Sequence, residues 1–332
     1  MRPRLIYLWT ILLVGCGDSP RDSLEPQQED AAGAPADVRL ALNWFPEAEH
    51  GGYYAAQVAE DYGAEGLNVE ILSGGPGVSP VPRVAAGKVN FGVCNADDLL
   101  LARAQEAPVV ALMAPIQNSP RCIMVHAGSG IESLMDLRDL TLAMNAGKAF
   151  AAYLRLHAPL DGVKIVPYPG TVAQFLLDQN YAQQAYAFSE PFVAKREGGD
   201  PRVLMLREIG FNPYTSVLIT NERLLREKPE QVGAMVRASV RGWRAYLSAP
   251  GPADELIHRF NPRMSLEILC FGAEIIKELS LTESTTQQGV GHMSCDRWAT
   301  LLGQLEELGL IEPGSVNVEE AFTSEFLASQ EM

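Results

Sequence analysis

The sequence predicts a two-lobed α/β protein. Three observations carry that reading: from Val38 onward short apolar runs alternate with amphipathic stretches, the alternation passes through two successive sets, and the last third turns mostly helical. In the first set, strands fall near 38–43, 68–72, 90–94 and 109–115, with helices near 53–63, 79–87 and 97–105. Gly, Pro and Asn mark the joins. Strand and helix alternate, so a parallel sheet covered on both faces is the economical arrangement. The second set places strands near 121–126, 140–144, 164–168, 184–188 and 202–206, with helices near 133–138, 148–157, 171–179 and 190–198, and makes a second sheet. Residues 214–220, Tyr-Thr-Ser-Val-Leu-Ile-Thr, read as one more strand. Pro229 suits the first turn of a long helix to Ser248, and further helices fit 252–260, 265–279 and 294–308. The expected organisation joins 37–120 with 212–332 in one lobe and leaves 121–211 as the other.

Ahead of the first strand the texture differs. Arg2 and Arg4, the apolar stretch Leu5–Val14 and then Gly15-Cys16 read as an export signal, because the apolar segment is too short to span a membrane comfortably. Leu13-Val14-Gly15-Cys16 resembles the lipobox of bacterial lipoproteins, which implies that residues 1–16 form a lipoprotein leader, that Cys16 is lipidated, and that the chain is anchored facing the periplasm or cell exterior. An ordinary signal peptide with a coincidental cysteine is the alternative. Residues 17–36 are polar, Pro- and Ala-rich and nearly free of large apolar side chains, the composition of a flexible tether. No second segment reaches the ~18 uninterrupted apolar residues of a spanning helix.

At 332 residues and 47% hydrophobic, the chain can fill two cores. A net charge of -15, with no run of Lys or Arg, excludes nucleic acid as the partner, because phosphate recognition needs a basic face. Cys94, Cys122, Cys270 and Cys295 permit three pairings, and the sequence does not choose among them. Neither the cysteines nor the five scattered histidines have metal-ligand spacing, so no metal or cofactor is expected.

In open α/β sheets ligands bind beyond the carboxyl ends of the strands, which makes the residues just after each strand the ones to inspect. Asn43, Trp44, Glu47, His50 and Tyr53 follow the first strand, where aromatic rings can stack on a flat ligand while Asn43 and His50 hydrogen-bond its rim. Gly75 lies in the turn Ser73-Gly-Gly-Pro-Gly77 after the second, where backbone N–H groups can meet an acceptor. Asn95 and Asp97 open a helix after the third strand, as cap or as contact. Asn118 and Ser119 offer uncharged donors and acceptors at the expected crossing between lobes. In the second lobe Gly147 precedes a helix within Asn-Ala-Gly-Lys, a place suited to an anionic group, and Tyr168 ends a strand. Glu190 follows Ser189 at a helix start; a carboxylate in a dry site calls for an amino or cationic group on the ligand. Asn212 and Tyr214 sit at the return crossing.

At these residues the chain resembles the periplasmic solute receptors of the thiamine-precursor and nitrate/sulfonate type, which include the Thi5-like proteins. Asn43-Trp-Phe-Pro46 with His50, Glu65-Gly-Leu-Asn-Val-Glu70, Ala85-Ala-Gly-Lys-Val-Asn-Phe-Gly92, Tyr186-Ala-Phe-Ser-Glu-Pro191 and Asn212-Pro-Tyr214 carry the resemblance. It implies a type II periplasmic-binding fold whose lobes close over a small solute and present it to the permease subunits of an ABC importer. The yeast-type pyrimidine synthases of the family carry a cysteine-rich motif with no counterpart around Ala114–Asn118. An acidic, amide-rich and aromatic set fits a flat amino-bearing heterocycle, such as a thiamine-precursor pyrimidine, better than a sulfonate or nitrate. Two other readings stay open: an enzyme related to desulfinases, with Cys94 as nucleophile near His50, and a sensor or scaffold that presents solute to another partner.

Overall fold

The computed structural model describes residues 34–327; the expected leader, Cys16 and most of the expected tether lie outside the described residues. The elements, in chain order, are β1 (Ala36–Ala41), α1 (Gly51–Val58), α2 (Asp61–Ala64), β2 (Leu67–Leu72), α3 (Pro80–Ala85), β3 (Phe91–Cys94), α4 (Ala96–Arg103) and β4 (Val109–Met113). Next come β5 (Arg121–His126), β6 (Thr141–Ala143), α5 (Ala149–His157), β7 (Lys164–Val166), α6 (Ala173–Leu177), β8 (Tyr181–Tyr186), α7 (Glu190–Arg196) and β9 (Pro201–Met205). The chain ends with β10 (Val217–Asn221), α8 (Glu222–Glu227), α9 (Pro229–Ser248), α10 (Gly251–Phe260), α11 (Leu266–Ser280), α12 (Glu283–Gln288) and α13 (Cys295–Glu307). Ala36, expected at the end of the tether, already pairs with Leu67 in β1.

Two five-stranded sheets form, in the orders β2-β1-β3-β10-β4 and β7-β6-β8-β5-β9. Neither is wholly parallel, which corrects the sequence-based expectation. β10 runs antiparallel to both β3 and β4, and β5 runs antiparallel to both β8 and β9. The cause is the path of the chain. A strand that leads into its own covering helix ends at the edge where the loops gather, whereas β5 and β10 arrive from the other sheet and begin at that edge. The two crossings therefore enter each sheet in reverse. Each sheet thus gathers carboxyl ends of parallel strands and the amino end of one antiparallel strand along a single rim.

Local chemistry sets that rim. α1 seats directly on α9: a Cβ on Gly242 would lie 2.2 Å from the Gly52 carbonyl oxygen, and one on Gly52 would lie 2.2 Å from the Trp243 ring. Only glycine lets the two backbones approach so closely, and the contact fixes where the β1–α1 loop stands. The Ser216 hydroxyl donates to the Glu49 carbonyl at 2.6 Å, and the Tyr53 hydroxyl donates to the Ser216 carbonyl at 2.7 Å. Ser216 holds a left-handed backbone at φ 56°, a strained conformation for serine that these two bonds lock in place.

Three sequence expectations moved. β8 spans Tyr181–Tyr186, earlier than 184–188; Gln183 and Gln184 lie inside it and mask the strand in a pattern of apolar runs. The helix expected at 133–138 is a single 3-10 turn, Leu134–Asp136, closed by reciprocal Ser133 and Asp136 capping. α8 and α12 were not expected; α12 is the polar Glu-Ser-Thr-Thr-Gln-Gln, with no apolar stripe, started by the Thr282 cap. Among the described residues, no helix is long and apolar enough to cross a membrane.

Candidate functional site

The first sheet presents the loop after β1. Trp44 and Phe45 meet edge to face with ring centroids 5.6 Å apart, and Trp44 stays 37% exposed. Their loop leans on the glycine turn: the Gly74 amide donates to the Trp44 carbonyl at 2.9 Å, and the Phe45 ring covers Gly75. Behind them, Glu49 and His50 are fully buried. The Glu47 amide donates to His50 Nδ1 at 3.3 Å, so the imidazole proton sits on Nε2, 2.8 Å from Asn43 Oδ1 and 3.2 Å from Glu49 Oε1. Asn43 Nδ2 closes the ring by donating to Glu49 Oε1 at 2.9 Å. Asn43 and His50 are thus spent on orienting Glu49, a residue the sequence reading passed over. Glu49 Oε2 has no hydrogen-bond partner.

Across the gap, the amino end of α4 meets the second sheet. Asn95 Nδ2 donates to the Tyr186 hydroxyl at 3.1 Å, and Arg121 donates to the same oxygen at 2.7 Å. The Arg121 guanidinium lies between the rings of Phe150 (4.4 Å) and Tyr186 (4.7 Å), a cation–π clamp. Lys148, beside Gly147 at the start of α5, pairs with Asp98 at 2.8 Å. Gly147 itself is exposed. Asp97 is 6% exposed; burial, reinforced by Asp98, pushes its carboxyl up to about 6. Asn95 Oδ1 and Asp97 Oδ1 are also buried without partners.

Two further carboxylates approach each other from opposite sheets. Burial pushes Glu47 well above the usual carboxylate range, and the negative charges of Glu49 and Glu190 add to it. Glu190 is also raised by burial, partly offset by hydrogen bonds from the Tyr168 hydroxyl at 2.7 Å and the Tyr186 amide at 2.9 Å. Glu47, Tyr168 and Glu190 therefore share one environment.

The remaining candidates go elsewhere. Ser119 N–H donates to Asn212 Oδ1 at 2.7 Å, and Asn212 Nδ2 donates to Asn118 Oδ1 at 2.9 Å, tying the two crossings together. Arg297 of α13 grips both: it donates to the Gln117 carbonyl, to Gln117 Oε1 at 3.2 Å and to the Asn212 carbonyl at 3.0 Å, and lies 3.9 Å over the Tyr214 ring. Gln117 stands at the crossing where the run Gln117-Asn-Ser-Pro120 offers uncharged donors and acceptors; Arg297 has no such local signal in the sequence. Tyr53 is enclosed in the core, its ring edge-on to Trp243 at 5.7 Å, so its face is not offered to a ligand. Cys94 is buried and its thiol is pushed well up by burial and by the acids Asp98 and Asp97, the reverse of an activated nucleophile. With both His50 nitrogens committed, Cys94 gains no base from it. All four described cysteines are free thiols.

Two five-stranded mixed sheets covered by helices, with their rims in contact through Asn95–Tyr186 and Lys148–Asp98, define the class: this is the type II periplasmic-binding fold. Among solved structures the chain is similar to the periplasmic aliphatic sulphonate binding protein SsuA of Escherichia coli, with a TM-score of 0.65 and 12% identity over 86% of this chain and 92% of that one. Residues 47–253, more than half of the chain, match the family model described as NMT1/THI5 like, and the chain belongs to that family. Its relatives include the riboflavin-binding protein RibY of Chloroflexus aurantiacus, 28% identical with 98% of each chain covered. A formylaminopyrimidine-binding protein of Halalkalibacterium halodurans is 23% identical over 86% of this chain and 89% of that one.

Proposed function

We propose that this chain is the solute-capturing component of an ABC importer, exported, anchored through Cys16, and delivering a small flat nitrogen heterocycle to permease subunits without catalysing a reaction. Residues 37–120 with 212–332 form one lobe and 121–211 the other, and the solute bridges them. The observation that carries this reading is the approach of Glu47 and Glu190 from opposite sheets beside Tyr168, with the Asn95–Tyr186–Arg121 bonds holding the same gap. Trp44, exposed at the rim, stacks on the ring, and Glu190 accepts from an amino or imide N–H. The names of the two relatives, a riboflavin and a formylaminopyrimidine binder, support the same chemistry.

An acceptor-only anion such as a sulfonate or nitrate fits less well, because Arg121 and Lys148 are already engaged with Tyr186 and Asp98. Calorimetry against riboflavin, formylaminopyrimidine and an alkanesulfonate tests the assignment. A heterocycle binds and quenches Trp44 fluorescence, and Glu190→Gln weakens it roughly tenfold, as loss of one charge-assisted bond does. Binding of the sulfonate with neither heterocycle bound would overturn the ligand class, and unchanged affinity in Glu190→Gln would remove that residue's role.

A further inference from the structure

The cleft holds a second group of acceptors that the Trp44–Glu190 reading does not use. Glu49 Oε2, Asn95 Oδ1 and Asp97 Oδ1 are all buried and all lack a hydrogen-bond partner. The residues are 0%, 8% and 6% exposed. They are neighbours: Ser216 Oγ holds the Glu49 carbonyl, and the next residue, Val217, pairs with Cys94, which leads directly into Asn95. The other ends of two of these groups are tied down. Glu49 Oε1 takes Asn43 and lies against His50, and Asn95 Nδ2 is given to Tyr186. The free oxygens of Glu49 and Asn95 are therefore held in place by the protein rather than left to turn.

Three buried acceptors with no donor among them are unfavourable in an empty protein and favourable only when something brings N–H or O–H groups. Two are carboxylate oxygens, which repel an anion and strengthen a donor bond. Resting on the solute-binding reading above, we infer that Glu49, Asn95 and Asp97 form a separate specificity subsite that reads a cluster of hydrogen-bond donors on the solute, at a part of it distinct from the edge facing Glu190. Such donors come from one of two sources: the hydroxyls of a polyol side chain, or ring and exocyclic N–H groups. A site built for donors rejects an analogue that lacks them by far more than a hydrophobic pocket rejects a missing methylene, because its own polar groups are then left bare.

Calorimetric titration of the full chain, its Asp97→Asn variant and its Glu49→Gln variant tests the subsite with three probes: riboflavin, lumiflavin (the same ring with a methyl in place of the polyol) and formylaminopyrimidine. If the polyol is read, the wild-type chain binds riboflavin on the order of 10²-fold more tightly than lumiflavin, and Asp97→Asn or Glu49→Gln erases that ratio while leaving lumiflavin affinity nearly unchanged. If ring N–H groups are read, formylaminopyrimidine binds and both variants weaken it by a similar factor. Thermal melting in parallel shows that the variants fold. Wild-type affinity for the bound probe in both folded variants overturns the subsite and leaves the solute-binding reading standing. Failure of all three probes to bind the wild-type chain overturns that reading, and the subsite with it.

Discussion

The crossing between the sheets is built from amide and hydroxyl side chains and the mouth of the cleft from carboxylates with one amide, and the two differ in how those polar groups are satisfied. At the crossing, Gln117, Asn118, Ser119 and Asn212 exchange hydrogen bonds with one another, with backbone and with Arg297. At the mouth, Glu49, Asn95 and Asp97 each keep one buried oxygen unpaired. A closed network contributes to stability and specifies one geometry; an open one costs stability until another molecule completes it. Polar side chains at strand ends thus divide into those that hold the lobes in register and those that await a solute. Substitution should separate the two classes, with the first showing up in melting and the second in affinity.

The largest effect is expected at Arg297. Its guanidinium serves two carbonyls, one amide oxygen and the Tyr214 face, so Arg297→Ala strands several buried acceptors at once. The expected loss is about 3 kcal/mol or more in denaturant unfolding, with solute affinity of the folded fraction little changed. An Arg297→Ala chain that melts like the wild type but binds weakly would place the crossing among the solute contacts and dissolve the distinction.

Next in size is a pH effect at Asp97. Its carboxyl is raised to about 6 from an ordinary 3.8, by burial first and Asp98 second, with Arg121 and Lys148 acting the other way. The folded chain then holds the proton more tightly than the unfolded chain, so this group's contribution falls as pH rises from about 4 through about 6 and is flat above. Asp97→Asn removes that fall. Melting curves should show the variant gaining on the wild type by on the order of 2 kcal/mol between pH 4.5 and pH 8. Bound solute should shrink the gain, since a donor on Asp97 stabilises the carboxylate. An equal difference between the two chains at every pH would mean that Asp97 is not buried as a strained acid.

Much of this arrangement was legible before the structure. β5 coincides with the expected strand at 121–126, and α9 runs from Pro229 to Ser248 as its first-turn proline and apolar periodicity imply. The direction of β5 and β10 was not, because periodicity describes faces and says nothing of which edge a strand enters from. Glu49 was hidden for a similar reason: inside Glu47-Ala-Glu49-His50 it reads as surface acid, and only tertiary packing encloses it. Arg297 meets Gln117 across a separation of 180 residues, a distance at which no local spacing signals contact. The two crossing asparagines, 94 residues apart, likewise look like ligand contacts until their mutual bond is seen. Tyr53, by its position after the first strand a candidate to stack on the ligand, instead meets Trp243 edge-on in the core.

The smallest expected effect concerns a contact that belongs to neither class. Lys148 and Asp98 join across the gap at 2.8 Å, with their side chains 45% and 29% exposed. An ion pair so open to water stabilises by roughly 0–1 kcal/mol and fades with salt. Yet it joins α4 to the start of α5 in the other lobe, so in a receptor whose lobes close over solute that small amount would fall on the closing step, whereas the Arg297 network lies within the crossing segments. Lys148→Met should therefore leave melting nearly unchanged and weaken solute affinity at low ionic strength by a few-fold at most, with the difference vanishing near 1 M salt. Small-angle scattering of the solute-free variant would show a slightly larger radius of gyration than the wild type. A salt-independent loss of affinity would instead mark Lys148 as touching the solute itself, and would move it from the closing contact to the mouth.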